Sequence, residues 1–424
     1  MNPADRNPMK YTLAYYTGNR KTGRIAIVDH ANGETQVSHL AIEPESNLEK
    51  ECKPVFVGLT EGREVILLDP VSKEIRVQPS FPEDAFPAHI YSDPNSSRDW
   101  FMNDGDKETG NDRLNCGDQG SSVSVVADTS SSAAAYLGTI CVGRGHHQAA
   151  FTYPSDSAPQ VPHTAYISNL KDGTISVIGN DPRQAGDYLK VVATINLCEP
   201  EKEKEGDGSV AVPNNAFPHG LVYSPLSGKV YNLNNGYGTM VLIDPLNHAI
   251  VERHDFKGHS NLFVTPDGRY VIGRGADRKS DPRHVIARLS VFDVLSGETP
   301  GRTELRDIYI SKYYFNAQGS KLYLTTGKSG TPEQQKNLKT DALLIFDLTA
   351  LPEMKLIKEH RLGCSSGSLA FLNEDGRTSL VFSSNSEQGT VSVIDGESDE
   401  IVETLAVTEG ASHSRAWLLS SHRE

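Results

Sequence analysis

The stretch 217–245, FPHGLVYSPLSGKVYNLNNGYGTMVLIDP, decides the fold. An apolar segment, GLVYS, turns at PLSG, resumes as KVYNLN, turns again at NGYG and ends in TMVLID. Apolar residues at period two mark each segment as a strand. Gly, Pro, Ser and Asn fill the gaps between them, and Asp244 with Pro245 suits the turn into a further strand, AIVERH. Four short antiparallel strands joined by tight turns make one self-contained sheet.

The same phrase recurs along the chain. It reads GRIAIVD ending at Asp29, EVILLD at Asp69, SSVSVVAD at Asp128, GTISVIGND at Asp181, RLSVFD at Asp293, ALLIFD at Asp347 and GTVSVID at Asp395. With the copy at Asp244 there are eight, most of them about 40–60 residues apart, the period of propeller blades. Flanking strands recur too: YTLAYYTG, TAYISNL and SLVFSSN before the phrase, TQVSHLAI, LKVVATI and IVETLAV after it. An all-β architecture follows, a β-propeller with eight blades preferred and seven as the alternative. The first unit lacks its front strand and the segment ASHSRAWLLSS (411–421) is an orphan one, so the C-terminal strand is expected to join the N-terminal blade. The second unit is weak, with only IEPESNLEKECK (42–53) for its inner strand. Residues 1–424 read as a single domain with inserts at about 103–120 and 152–162.

Composition bounds the function. The chain of 424 residues has 41 Lys+Arg against 55 Asp+Glu, a net charge of −14, which repels nucleic acid and anionic membrane surfaces. No apolar run is long enough to span a bilayer. The opening MNPADRNPMKYTLAYY shows no signal-peptide pattern, giving a cytoplasmic expectation, or a periplasmic one if a leader has been trimmed. Cys52, Cys116, Cys141, Cys198 and Cys364 are odd in number and widely spaced, which predicts a reducing compartment with mostly buried thiols. GxGxxG, GxxxxGK[ST] and GxSxG are absent, so nucleotide-binding and α/β-hydrolase readings have no support.

Residues 217–245 and the following GHSNLFVTPDGRYVIG (258–273) resemble the YVTN-type propeller repeat, in which PHG, SPDG and YV precede GTVSVID. The resemblance extends over nearly the whole chain. It implies kinship with the lactonase propellers, the haem-d1 domain of nitrite reductases and the copper-cluster domain of nitrous oxide reductase, the last two of which use channel histidines. No CxxCH and no Cys-rich electron-transfer domain accompanies it here, and no strand ends in Trp-Asp.

Histidines supply the functional expectation. His147, His219, His259 and His413 each precede the aromatic residue of a front strand (Phe151, Tyr223, Phe263, Trp417) by four positions. Front strands are innermost in a propeller, so four imidazoles at one register would ring one channel mouth. Imidazole suits copper, iron and zinc, and histidines without paired cysteines suit a metal with an open position. Copper ranks first, then iron or a haem-like tetrapyrrole, then zinc. His146 and His89 are additional ligand candidates, and Cys364 falls near the same rim. Arg144, Lys312 and Arg415 would add positive charge for an anionic ligand or a developing anion, the role assigned to them as catalytic candidates. The competing account makes each histidine a structural hydrogen-bond donor to a neighbouring strand.

Other segments carry weaker signals. Asp104, Asp106, Glu108, Asn111 and Asp112 offer oxygen ligands for calcium, without the EF-hand's bidentate Glu. The two inserts would form a lid over the histidines. EPEKEKEGDG (199–208) reads as a solvated loop, Arg274, Arg278 and Arg283 as a surface loop, and His30, His39, His248, His254, His284, His360 and His422 as surface. Ser365 and Ser366 invite a nucleophile role, but no Asp–His pair can be named for them. Three functions remain: a metal-binding propeller acting as a redox enzyme on a small molecule at the channel mouth, a non-catalytic protein- or ligand-binding scaffold, and a metal-assisted lactonase.

Overall fold

The structure is a computed structural model that describes residues 11–17, 24–31, 34–41, 55–59, 65–68, 75–78, 87–104, 116, 121–127, 135–145, 147–203, 211–407 and 411–418. The chain begins with β1 (Tyr11–Thr17), β2 (Arg24–Ala31), β3 (Glu34–Ala41), β4 (Val55–Leu59), β5 (Val65–Leu68) and β6 (Ile75–Gln78). It continues with β7 (Pro87–Ser92), β8 (Asp99–Asn103), β9 (Ser122–Ala127), β10 (Ala135–Cys141), β11 (Ala149–Thr152), β12 (Thr164–Asn169), β13 (Thr174–Gly179) and β14 (Val191–Asn196). Next come β15 (Pro218–Ser224), β16 (Lys229–Asn234), β17 (Thr239–Asp244), β18 (Ala249–Asp255), β19 (Asn261–Val264), β20 (Tyr270–Asp277), β21 (Ile286–Asp293) and β22 (Glu298–Arg306). The last are β23 (Ile310–Phe315), β24 (Lys321–Thr326), β25 (Ala342–Asp347), β26 (Lys355–Arg361), β27 (Ser366–Glu374), β28 (Arg377–Asn385), β29 (Thr390–Asp395), β30 (Ile401–Ala406) and β31 (Ala411–Leu418).

Among the described residues these strands form seven four-stranded sheets and one of three strands, β4–β5–β6. Within each four-stranded sheet neighbours in sequence are neighbours in space, except that β31 pairs antiparallel with β1. The expected junction of the C-terminal strand with the N-terminal sheet is therefore present, with Tyr11 opposite Leu418 and Tyr16 opposite His413. The segment expected to give the second sheet an inner strand lies outside the described residues. No described helix is long and apolar enough to cross a membrane. The chain divides into two compact units, one of residues 1–79, 278–286 and 306–424, the other of residues 80–277 and 287–305.

The repeated phrase folds as read, since β9, β13, β17, β21, β25 and β29 are its third strands. Their burial departs from simple alternation. Thr164–Asn169 is buried at every residue and Thr239–Asp244 at all but the last, whereas the outer strand Val191–Asn196 is mostly exposed. The reason is that both faces of an inner sheet region pack on neighbouring sheets, so polar positions are enclosed as well. In the second unit Trp100, Met102 and Val125 pack with Phe151, Ala165 and Ile167 of the following sheet. Tyr166, Val177 and Ile195 likewise pack with Tyr223, Val230 and Ile243. The first unit repeats this pattern, with Tyr323 and Ile345 against Leu369 and Val381, and Val28 against Phe382 and Val393. Gly228 and Gly268 close the inner hairpins at φ of 64° and 74°, which a side chain rarely tolerates.

Candidate functional site

Several inner strands begin at an irregularity, while β11 and β19 pair without one. Pairing between β15 and β16 shifts between Pro218 and Leu221, and comparable shifts open β7, β23 and β27. The candidate histidines stand at this end of the sheets. Gly220 sits in the β15 shift at φ 114°, where a Cβ would come within 2.7 Å of the Leu262 nitrogen. Only glycine fits there, which gives the Gly of PHG a backbone reason.

The histidines do not assemble as a free ring. His147 is fully buried, its Nδ1 hydrogen-bonded with Asp104 Oδ1 at 2.6 Å and its Nε2 donating to the Gly143 carbonyl at 2.9 Å. With a protein partner on each ring nitrogen, neither is open to a metal. His259 is also buried; its Nδ1 donates to the Phe256 carbonyl at 3.1 Å, its Nε2 accepts from Ser290 Oγ at 3.0 Å, and its ring stacks on Phe256. Burial holds its pKa down at about 4, so the imidazole is neutral. His219 is half-buried and donates from Nδ1 to the Ser260 carbonyl at 2.7 Å. His89 is exposed. His146 and the side chain of His413 lie outside the described residues. Two members of the expected four-imidazole ring are thus engaged by protein groups. Among the described residues no three His, Cys, Asp or Glu side chains converge on a metal position.

The charged candidates are similarly engaged. Arg144 binds Asp172 twice, through its backbone N and its Nε, each at 2.7 Å. Lys312 is half-buried and its amine donates to the Gly367 carbonyl; burial lowers its pKa. The Arg144 guanidinium is thus paired with a carboxylate and the Lys312 amine with a backbone carbonyl. The Arg415 side chain lies outside the described residues. Cys364 is buried, which raises its thiol pKa. Ser365 donates to the Thr340 carbonyl at 3.0 Å and Ser366 shares a hydrogen bond with Ser383 at 2.9 Å.

Several peripheral expectations also change. Cys116 and Cys141 form a disulfide, which overturns the reading of the cysteines as reduced thiols; Cys198 and Cys364 are buried thiols as expected, and Cys52 lies outside the described residues. Of the calcium candidates only Asp104 is described, and its carboxylate serves His147. The 152–162 insert does not cover the histidines. Its Ala158 and Val161 are buried against Tyr223 and Val230, and Ser155 donates to the Pro225 carbonyl at 2.6 Å. It therefore packs at the turn after β15, the end opposite His219. Glu199, placed by sequence in a solvated run, is buried and accepts from Lys202 and Asn234 at 2.8 and 3.1 Å. His360 is also buried, donating to the Asp399 carbonyl at 2.7 Å, because its outer strand is covered there.

Sequence reasoning missed the residue that ties this rim together. Gln148 Oε1 accepts from the Gly220 and Leu221 nitrogens at 2.6 and 3.1 Å, and its Nε2 donates to Asn261 Oδ1 at 3.3 Å. One carboxamide thereby links β15 and β19 to the start of β11 and satisfies the donors that the β15 shift releases from the ladder. No motif marks it. A second omission had a visible signal: Asn103, Asn169 and Asn385 each end a second strand and precede a Ser/Thr-x-Ser pair. Each Nδ2 reaches both hydroxyls, at 2.9 and 2.9 Å, 3.0 and 2.9 Å, and 3.1 and 2.9 Å respectively.

No protein-family model and no curated protein matches the chain. Solved structures do. Apo AztD from Citrobacter koseri has 11% identity and a TM-score of 0.54, over 96% of this chain and 98% of that one. The dihydro-heme d1 dehydrogenase NirN, solved in complex with DHE, has 13% identity and a TM-score of 0.52, over 87% of this chain and 66% of that one. A protein from Lactobacillus plantarum has 14% identity and a TM-score of 0.51, over 96% and 99%. Likeness at such identities speaks for fold alone. The chain is a β-propeller, and a haem-d1-type propeller is among the structures it resembles.

Proposed function

We propose that this chain is a non-catalytic binding scaffold, a propeller whose surface takes a protein or small-molecule ligand and whose histidines hold neighbouring strands together. The observation that carries this reading is the engagement of both ring nitrogens of His147 and of His259 by protein groups. Arg144 and Lys312 point the same way, since a catalytic cation is wanted at a substrate and these are tied to Asp172 and Gly367. The net charge of −14 favours partners other than nucleic acid and anionic membranes. The Cys116–Cys141 bond favours an oxidising compartment such as a periplasm over the cytoplasm.

The test uses tagless protein incubated separately with copper, iron, zinc and haem, desalted, and analysed for metal by mass spectrometry and for a Soret band. The expected result is no stoichiometric uptake, together with a lowered melting temperature for His259→Ala. One equivalent of any of these metals retained by the parent and lost from His219→Ala, or turnover of a sugar lactone, would overturn the scaffold reading.

A further inference from the structure

The outer strands share a device. Along β10, Tyr136 pairs with Val126 and Gly138 with Val125, so Leu137 is an extra residue. The same step recurs at Val192 in β14, Val251 in β18, Ile357 in β26 and Val402 in β30. Each of these five sheets therefore carries a β-bulge in its outermost strand, close to the start of that strand. The bulged residues are all aliphatic and solvent-facing, with exposures of 37% for Leu137, 40% for Val192, 46% for Val251, 39% for Ile357 and 59% for Val402. The described pairings β2–β3 and β5–β6 run without a shift.

An outer strand presents a row of backbone N–H and C=O groups that another chain can extend by pairing, and exposed aliphatic side chains make that pairing more favourable. A bulge breaks the alternation of that row, so a regular incoming strand can match it on one side of the break only. Beyond the bulge, the ladder resumes over residues 138–141, 193–196, 252–255, 358–361 and 403–406. Each such run is about 13 Å long at the usual rise per residue, at the short end of strand lengths, so an added strand would gain few ladder bonds there. Charges follow the bulge in three of them: Glu252 and Arg253, Lys358 and Glu359, and Glu403.

We infer that the outer-strand bulges guard the sheet edges against strand addition by other copies of this chain. They allow the edges to carry apolar residues without self-associating. The inference is independent of what the propeller binds.

The test deletes Val192 and Val402, singly and together, which removes the extra residue and restores regular pairing. Val192→Asp and Val402→Asp serve as controls that keep the bulge. Sedimentation across a concentration series and far-UV circular dichroism are read on every variant. The expected result is a folded double-deletion variant whose weight-average mass at least doubles as concentration rises, while the Asp variants match the parent. Folded deletion variants that sediment like the parent would overturn the inference. So would deletion variants that cannot fold beside Asp variants that can, since the extra residue would then serve the sheet itself.

Discussion

His259 is a built-in proton sensor of stability. Its ring is buried against Phe256, accepts a hydrogen bond from Ser290, and is further disfavoured as a cation by the charges of Arg288 and Arg302. The folded pKa is about 4 against an ordinary value of 6.5. As pH falls through 6.5 the unfolded chain binds a proton that the folded chain refuses, so stability is lost progressively between 6.5 and 4 and is whole above that window. Each pKa unit corresponds to about 1.4 kcal/mol, so moving from about pH 7.5 to about pH 4.5 costs on the order of 2–3 kcal/mol through this residue alone. His259→Gln, which cannot titrate, should lack that component. Urea unfolding of both chains at both pH values gives the double difference, in which other titrating groups cancel. A parent and variant that lose the same stability within about 0.5 kcal/mol would refute the reasoning.

Further outcomes follow from the other buried contacts. Replacing Cys116 and Cys141 with Ala opens a loop of sequence separation 25 and should cost about 3–4 kcal/mol, read as a lower melting temperature, while non-reducing peptide mapping of the parent should recover the linked pair. Asp104→Ala leaves the fully buried Nδ1 of His147 without its partner and should cost about 1–3 kcal/mol; no measurable loss in urea unfolding would count against the pair. Gln148→Ala leaves the Gly220 and Leu221 N–H groups without their acceptor and should cost about 1–3 kcal/mol, with Gln148→Glu recovering part of it because a carboxylate oxygen can accept from both.

The sheets were legible because their signal is local. Period-two alternation with Gly, Pro or Asn at the turns marks a strand in a window of a few residues, and eight repetitions of GTMVLID-like phrases leave little freedom in architecture. The shared position of His147, His219 and His259 at the start of inner strands was equally readable. What it means chemically was not. Whether an imidazole faces an open mouth or a carbonyl three residues away, as His259 does, depends on the path of the loop before the strand, and no spacing rule encodes that path. Asp104 lies 43 positions from His147, and nothing in the residues between announces the pairing. The Cys116–Cys141 bond was hidden for a similar reason: spacing alone does not report which cysteines a folded chain brings together.

The pairing of β31 with β1 sets a schedule for synthesis. Thr17 must wait for Ala411 to leave the ribosome before its backbone finds its partner. At ordinary translation speeds that delay is about 20–80 s, during which the nascent first sheet has an unpaired side. Later sheets, each closed by strands adjacent in the chain, face no such wait. The first sheet is thus completed long after its first strands are made, and a chaperone that shields it would find its task there.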